Sequence, residues 1–207
     1  MLFDKFLAKQ LGNPSGIVGY WMAAPLWNKR NSALNDVAFD NLALTPQDRV
    51  LEVGFGGGYL LGKMSNVVTR GLLAGVDASP AMVAFCEKRY RSLVRDGKLE
   101  IKCARAECLP YPPGHFTKAC TVNSIFYWQD VSQALGEFGR VLADGGKLVM
   151  CFTCKESLEN RGFTKYGLAP YEPDQVQQIM QSVGFHEIRV TRYSDRHRNF
   201  LCITGIK

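Results

Sequence analysis

The chain reads as an α/β fold, a doubly wound, mostly parallel sheet of seven strands preceded by a helical N-terminal segment. Apolar, strand-like runs alternate with helix-like segments from residue 49 onward, and the first run breaks into glycines and then a helical face. Only a short connection separates the last two runs, Val190 to Arg192 and Phe200 to Ile206. A hairpin cannot be a parallel crossover, so one terminal strand must run antiparallel.

Taken in order, residues 1–48 look helical in pieces, with breaks at Gly12 to Gly16 and at Pro25. Leu34, Val37, Ala38 and Leu42 form one apolar stripe, the spacing of a helix lying on a sheet. Strands are expected near 49–53, 72–77, 98–103, 117–122, 146–152, 186–193 and 199–206. Helices fall between them, including 131–143 and 173–183, with Pro173 and Asp174 starting the last. Ser79 and Pro80 are a good N-cap and first-turn pair for a helix through Met82, Val83, Phe85 and Cys86. Residues 1–48 are read as a cap and 49–207 as the ligand-binding domain.

The glycine run carries the chemistry. Arg49 to Val53 is a buried strand, and the loop after it lets a ligand lie against bare main chain beside a helix N-terminus. A dinucleotide fingerprint would place its third glycine at position 59, which is Tyr59. Instead Glu52 stands ahead of Gly54, Gly56 and Gly58, and an acid there suits a cationic ligand better than a pyrophosphate. Further on, Leu72 to Asp77 is an apolar run ending in an acid, the position from which a carboxylate can accept both ribose hydroxyls of an adenosine.

The Glu52 to Gly58 pattern resembles the first motif of class I S-adenosylmethionine-dependent methyltransferases, whose cofactor carries an ammonium and a sulfonium. Ala106-Glu107-Cys108-Leu109-Pro110-Tyr111 resembles the Asp-Ala-Glu-x-Leu-Pro-Phe motif of the ubiquinone and menaquinone methyltransferase group. Arg140 to Gly146 resembles that group's Arg-Val-Leu-x-Pro-Gly-Gly turn. The resemblance implies a Rossmann-like sheet of order 3-2-1-4-5-7-6 and S-adenosylmethionine as cofactor. It implies the methionine end at Glu52, Gly54, Gly56 and Gly58, and the adenosine among Asp77, Ala78, Met82, Arg105, Ala106 and Glu107, with Asn123 facing the sulfonium. The motif's acid aligns with Arg105, so Glu107 or a main-chain carbonyl must take over its contact to the base. Relatives also cover the cofactor with an N-terminal helical segment, which makes Tyr20, Trp27 and Asn31 lid candidates.

The acceptor is less constrained. Asn123-Ser124-Ile125-Phe126-Tyr127-Trp128 is not the Asn/Asp-Pro-Pro-Tyr of amino-group DNA methylases, which argues against base N-methylation. Tyr127, His115 and Tyr171 are acceptor-side candidates, and no catalytic residue is assigned. The loop from Thr153 to Glu172 carries Phe163, Tyr166, Leu168 and Tyr171, an apolar wall for a small or amphipathic acceptor. The expected activity is methyl transfer to a small molecule. The alternatives are a non-catalytic adenosylmethionine-binding partner subunit and an RNA or protein methyltransferase.

Composition bounds the rest. At 207 residues with 46% hydrophobic content the chain can bury one sizeable core. No apolar run reaches membrane-spanning length and no secretory pattern opens the chain, so a soluble cytoplasmic protein is expected. Its 7 cysteines, Cys86, Cys103, Cys108, Cys120, Cys151, Cys154 and Cys202, are an odd, scattered set, read as reduced and mainly buried rather than as a disulfide framework. Cys151-Phe152-Thr153-Cys154 has half-site spacing without a second pair, and His115, His186 and His197 are dispersed, so no metal site is expected. The formal charge is +6, but Arg189, Arg192, Arg196 and Arg198 alternate with Glu187 and Asp195, the pattern of a solvated face rather than a nucleic-acid surface.

Overall fold

The computed structural model describes residues 31–160 and 169–207. The lid candidates Tyr20 and Trp27 and the loop residues Phe163, Tyr166 and Leu168 lie outside the described residues. Helix α1 spans Ser32–Leu42, followed by β1 (Arg49–Val53), α2 (Tyr59–Ser65), β2 (Leu72–Asp77), α3 (Pro80–Arg89) and α4 (Arg91–Arg95). Then come β3 (Leu99–Cys103), β4 (Phe116–Val122), α5 (Val131–Val141), β5 (Leu142–Thr153) and α6 (Lys155–Glu159). Helix α7 (Pro173–Ser182), β6 (His186–Ser194) and β7 (Asn199–Ile206) complete the described elements.

The seven strands form one sheet of order β3-β2-β1-β4-β5-β7-β6. All pairings from β3 to β5 are parallel, and β7 runs antiparallel to both β5 and β6. The order is the one the family resemblance implied, and the reversed strand is the one the short final connection required.

Period-2 alternation sends successive side chains to opposite faces, and two cores result. Val50, Leu73, Cys120, Val149 and Cys202 face α1, α2 and α3 through Leu34, Leu61 and Met82. On the other side Leu51, Val76, Leu148 and Ile203 pack under α5 and α7 through Leu135, Phe138 and Met180. The stripe of α1 seats as expected, with Leu34, Ala38 and Leu42 buried and Val37 packed beside them.

Some element boundaries differ from the sequence reading. Helix α5 stops at Val141 rather than 143, because Leu142 turns extended and pairs with Phe116, and β5 begins there instead of at 146. The intervening turn is tight: Gly145 has φ +74, and a Cβ on Gly146 would lie 2.7 Å from the Ala143 carbonyl oxygen. The segment read as loop from Thr153 onward holds α6, whose Leu158 is buried. Ser79 stands at the N-cap of α3 as expected, yet its hydroxyl makes no capping bond. Asp77 Oδ1 accepts the Ser79 N–H instead, at 2.9 Å.

Candidate active site

Strand order reverses between β1 and β4, and in open α/β sheets the crevice at that point, beyond the carboxyl ends of the strands, is where ligands bind. Its floor is stitched across the reversal: Thr121 Oγ1 bonds the Val53 carbonyl at 2.9 Å and also the Ser124 hydroxyl. Around this crevice the fold gathers Glu52 and the glycine loop after β1, Asp77 after β2, and Asn123 after β4.

Gly54, Gly56 and Gly58 all have positive φ, +77, +51 and +70. A Cβ on Gly54 would lie 2.5 Å from the Ser124 Cβ, and one on Gly58 would lie 2.7 Å from Cys86 Sγ, so these two positions have no room for a side chain. At Gly56 an added Cβ meets none of the described residues within 4 Å, so among them the middle of the loop is open.

Asp77 ties this loop to β2. Its Oδ2 accepts the Gly56 N–H at 2.9 Å while Oδ1 holds Ser79. Burial pushes the Asp77 carboxyl up, against the pull of the Ser79 and Gly56 amides. The carbonyls of the loop are held from the other side by α3 and the residue after it. Cys86 Sγ reaches Gly56 O at 3.5 Å, Arg89 donates to Gly57 O at 3.2 Å, and the Tyr90 hydroxyl donates to Gly58 O at 2.6 Å.

Glu52 is 2% exposed. Burial, and then the Asp77 charge, push its carboxyl well above the ordinary value, while the Leu61 N–H pulls it down. Among the described residues its Oε2 has no hydrogen-bond partner. An unpartnered buried acid beside an open glycine loop is a fitting counterpart for a cationic group.

The expected adenosine residues are distributed differently. Ala78 is exposed at the rim, and the Ala104 N–H bonds the Asp77 carbonyl, which brings the segment after β3 alongside. Met82 is buried in the core with 1% exposure and presents no surface to a ligand. Ala106 is buried in the opposite core. Glu107 is already engaged: Arg105 contacts both its oxygens at 3.3 Å, and its Oε1 accepts the Gln129 N–H at 2.5 Å. Burial raises Glu107, but Arg105 and the backbone amides outweigh it and hold the carboxyl below its ordinary value. It pins the Ala106 loop to the start of α5 instead of standing ready for a base. Arg105 is half-exposed.

Beyond β4 lies a polar cluster. Asn123 takes φ +54, a left-handed conformation that Asn tolerates better than most residues. Its Oδ1 accepts the Thr153 N–H at 2.9 Å and the Thr153 hydroxyl at 3.1 Å, and its Nδ2 donates to Asn31 Oδ1 at 3.0 Å. Arg198, from the β6–β7 hairpin, donates to the same Asn31 oxygen at 2.9 Å and to Thr153 at 3.2 Å. Sequence reading missed Thr153 and treated Arg198 as part of a solvated basic face. Arg198 is turned inward, its side chain 9% exposed and Nε lying 3.6 Å from Asp195. The short connection signals the hairpin, but which way a side chain at its tip turns leaves no local sequence signal.

Among the acceptor-side candidates, His115 is misplaced. It stacks on Tyr111 beside Phe116, at the amino end of β4, a strand length or roughly 20 Å from the crevice. Tyr127 lies in the turn after β4, and Tyr171 packs on the α5 side of the sheet near Asp130. Burial, and then the Asp130 charge, push the Tyr171 phenol up, so it is not a ready base, and Tyr127 is exposed.

The profile of a family described as "methyltransferase domain" matches residues 51–150. The uncharacterized methyltransferase YdaC of Bacillus subtilis is 30% identical over 195 residues, 92% of this chain and 98% of its own length. The demethylmenaquinone methyltransferase of Thermus thermophilus is 30% identical over 102 residues, 49% of this chain and 46% of that protein. Among solved structures, a geranyl diphosphate methyltransferase in complex with its diphosphate and sinefungin superposes with a TM-score of 0.72. The two share 16% identity over 84% of this chain and 78% of the other, a likeness that speaks for the fold alone.

Proposed function

The chain belongs to the class I S-adenosylmethionine-dependent methyltransferases, and from that premise we propose that its methyl acceptor is a small molecule bound beside Asn123. S-adenosylmethionine supplies an electrophilic methyl group on a sulfonium. The observation that carries the site assignment is the pairing of the unpartnered Glu52 Oε2 with the open face at Gly56. In this reading Glu52 draws the ammonium, Gly54, Gly56 and Gly58 let the main chain lie close to the methionine end, and Asp77 offers its remaining lone pairs to the ribose. Ala78, Arg105 and the main chain around Ala106 border the base, while Met82 supports that wall from within.

Methyl transfer is an in-line displacement, so alignment and exclusion of water supply much of the rate. Asn123 is suited to alignment because Thr153 and Asn31 hold its amide on both sides. Asn31 joins α1 to this rim, which supports residues 1–48 as a cap over the acceptor. Among the described residues no acceptor-side candidate is a ready base, which favours an acceptor that is nucleophilic without one, such as a thiolate or a neutral amine.

Relatives that carry substrate names also support a small acceptor, since the Thermus protein acts on demethylmenaquinone by its name. The test is release of S-adenosylhomocysteine over a library of small thiols, amines, phenols and quinols. Turnover on one of these classes supports the reading. Turnover confined to RNA or protein substrates overturns it.

A further inference from the structure

We infer that Tyr90, Arg89 and Cys86 are positioning residues for the cofactor, acting by anchoring three consecutive carbonyls of the glycine loop. The inference rests on the methionine end of the cofactor lying on that loop.

Gly56, Gly57 and Gly58 each have a carbonyl that receives a side-chain donor, at 3.5, 3.2 and 2.6 Å, and the Gly58 carbonyl also accepts the Gly62 N–H at 3.1 Å. The side-chain donors stand at i, i+3 and i+4 along α3 and its C-cap, the spacing that puts residues on one helix face. Cys86 is a neutral thiol here, because burial and the Glu52 and Asp77 charges push it up, so its S–H is available to donate. Arg89 lies 5.3 Å from the Tyr90 ring centre, which braces both donors.

The fit is close enough to explain glycines that the motif alone does not. A Cβ on Gly58 would lie 2.9 Å from Tyr90 Cε2, and one on Gly62, a turn into α2, would lie 2.5 Å from the Tyr90 hydroxyl. The same β2–α3 unit that carries Asp77 therefore grips the loop by an amide from one side and by its carbonyls from the other. With its carbonyls drawn toward α3, the loop keeps its open face toward the crevice.

The probes are S-adenosylhomocysteine and 5′-methylthioadenosine, titrated calorimetrically into wild-type protein, Tyr90→Phe and Arg89→Met. Phe keeps the ring and deletes one neutral hydrogen bond, so Tyr90→Phe weakens S-adenosylhomocysteine roughly fivefold. Methylthioadenosine lacks the amino-acid half, and its affinity stays at the wild-type value. Arg89→Met moves the same ligand in the same direction. A general loosening of the fold would weaken both ligands alike, and that result overturns the inference. So does wild-type affinity for S-adenosylhomocysteine in both variants. If the wild-type protein binds neither probe, the cofactor site itself is misassigned and the proposed function falls with it.

Discussion

Replacing Glu52 by Gln separates the cost of the buried acid from its use. A carboxyl raised in the folded state binds more protons folded than unfolded. Its penalty is therefore absent below the ordinary value of 4.5, grows as pH rises above it, and levels off past the folded value. At pH 7 the penalty is bounded by the free energy of keeping such a group protonated, about 3 kcal/mol. Gln removes that penalty, and its carbonyl can still accept the Leu61 N–H. Its amide nitrogen replaces the partnerless Oε2, however, and a buried unpaired donor costs ~1 kcal/mol or more. The net gain at pH 7 is about 1 to 2 kcal/mol, or roughly 2 to 8 °C in melting temperature for a domain of this size, and it is no smaller at pH 8. At pH 4.5 the gain vanishes, since protonated Glu52 has no charge to bury and, like the amide, carries an unpaired donor. The assay is thermal unfolding of the ligand-free protein across this range, with S-adenosylhomocysteine titration beside it. Affinity should fall roughly tenfold or more as a charge-assisted contact is lost. A variant melting at or below wild type at pH 8 refutes the reasoning.

Three further changes probe the same architecture. Asp77→Ala frees the Gly56 and Ser79 amides and should weaken S-adenosylhomocysteine by about ten- to a hundredfold in calorimetry. Unaltered affinity would mean that Asp77 holds neither the loop nor the ribose. Gly58→Ala must accommodate φ +70 and a Cβ 2.7 Å from Cys86 Sγ, so the melting temperature drops by several degrees and ligand binding is lost. Glu107→Ala lowers the melting temperature at pH 7. Because the Glu107 carboxyl is held down in the fold, its contribution is present above 4.5 and lost as pH falls through the folded value, so wild type and variant converge in acid.

The order of the sheet was expected only through the resemblance to class I methyltransferases, but its strands and the reversed one were legible from signals that are local: apolar runs, glycine breaks, and a final connection too short to cross over. Glu52, the glycines and Asp77 were legible for the same reason, since each ends a strand of recognisable composition. Glu107 was legible as a member of a motif and Met82 as part of the helix that Ser79 opens, but not in their placement. Whether a side chain at a rim faces ligand or core depends on what packs behind it, here Leu73 and Leu99 for one and the start of α5 for the other. The join of Asn31, Asn123, Thr153 and Arg198 spans 167 residues between Asn31 and Arg198, and no periodicity reports a contact of that range. His115 failed for a plainer reason: it sits at the wrong end of its strand.

The stitch between Thr121 and Val53 bears on how the molecule folds. It joins positions 68 residues apart, across the chain that makes β2 and β3, so it closes a far longer loop than a hairpin does. The β6–β7 hairpin, by contrast, joins near neighbours and closes at little entropic cost. The two walls of the crevice therefore meet late, after much of the chain has already collapsed. A ligand that needs both walls cannot guide the early steps. Its hold on the finished protein is expressed in how slowly the native state comes apart, not in how quickly it is reached.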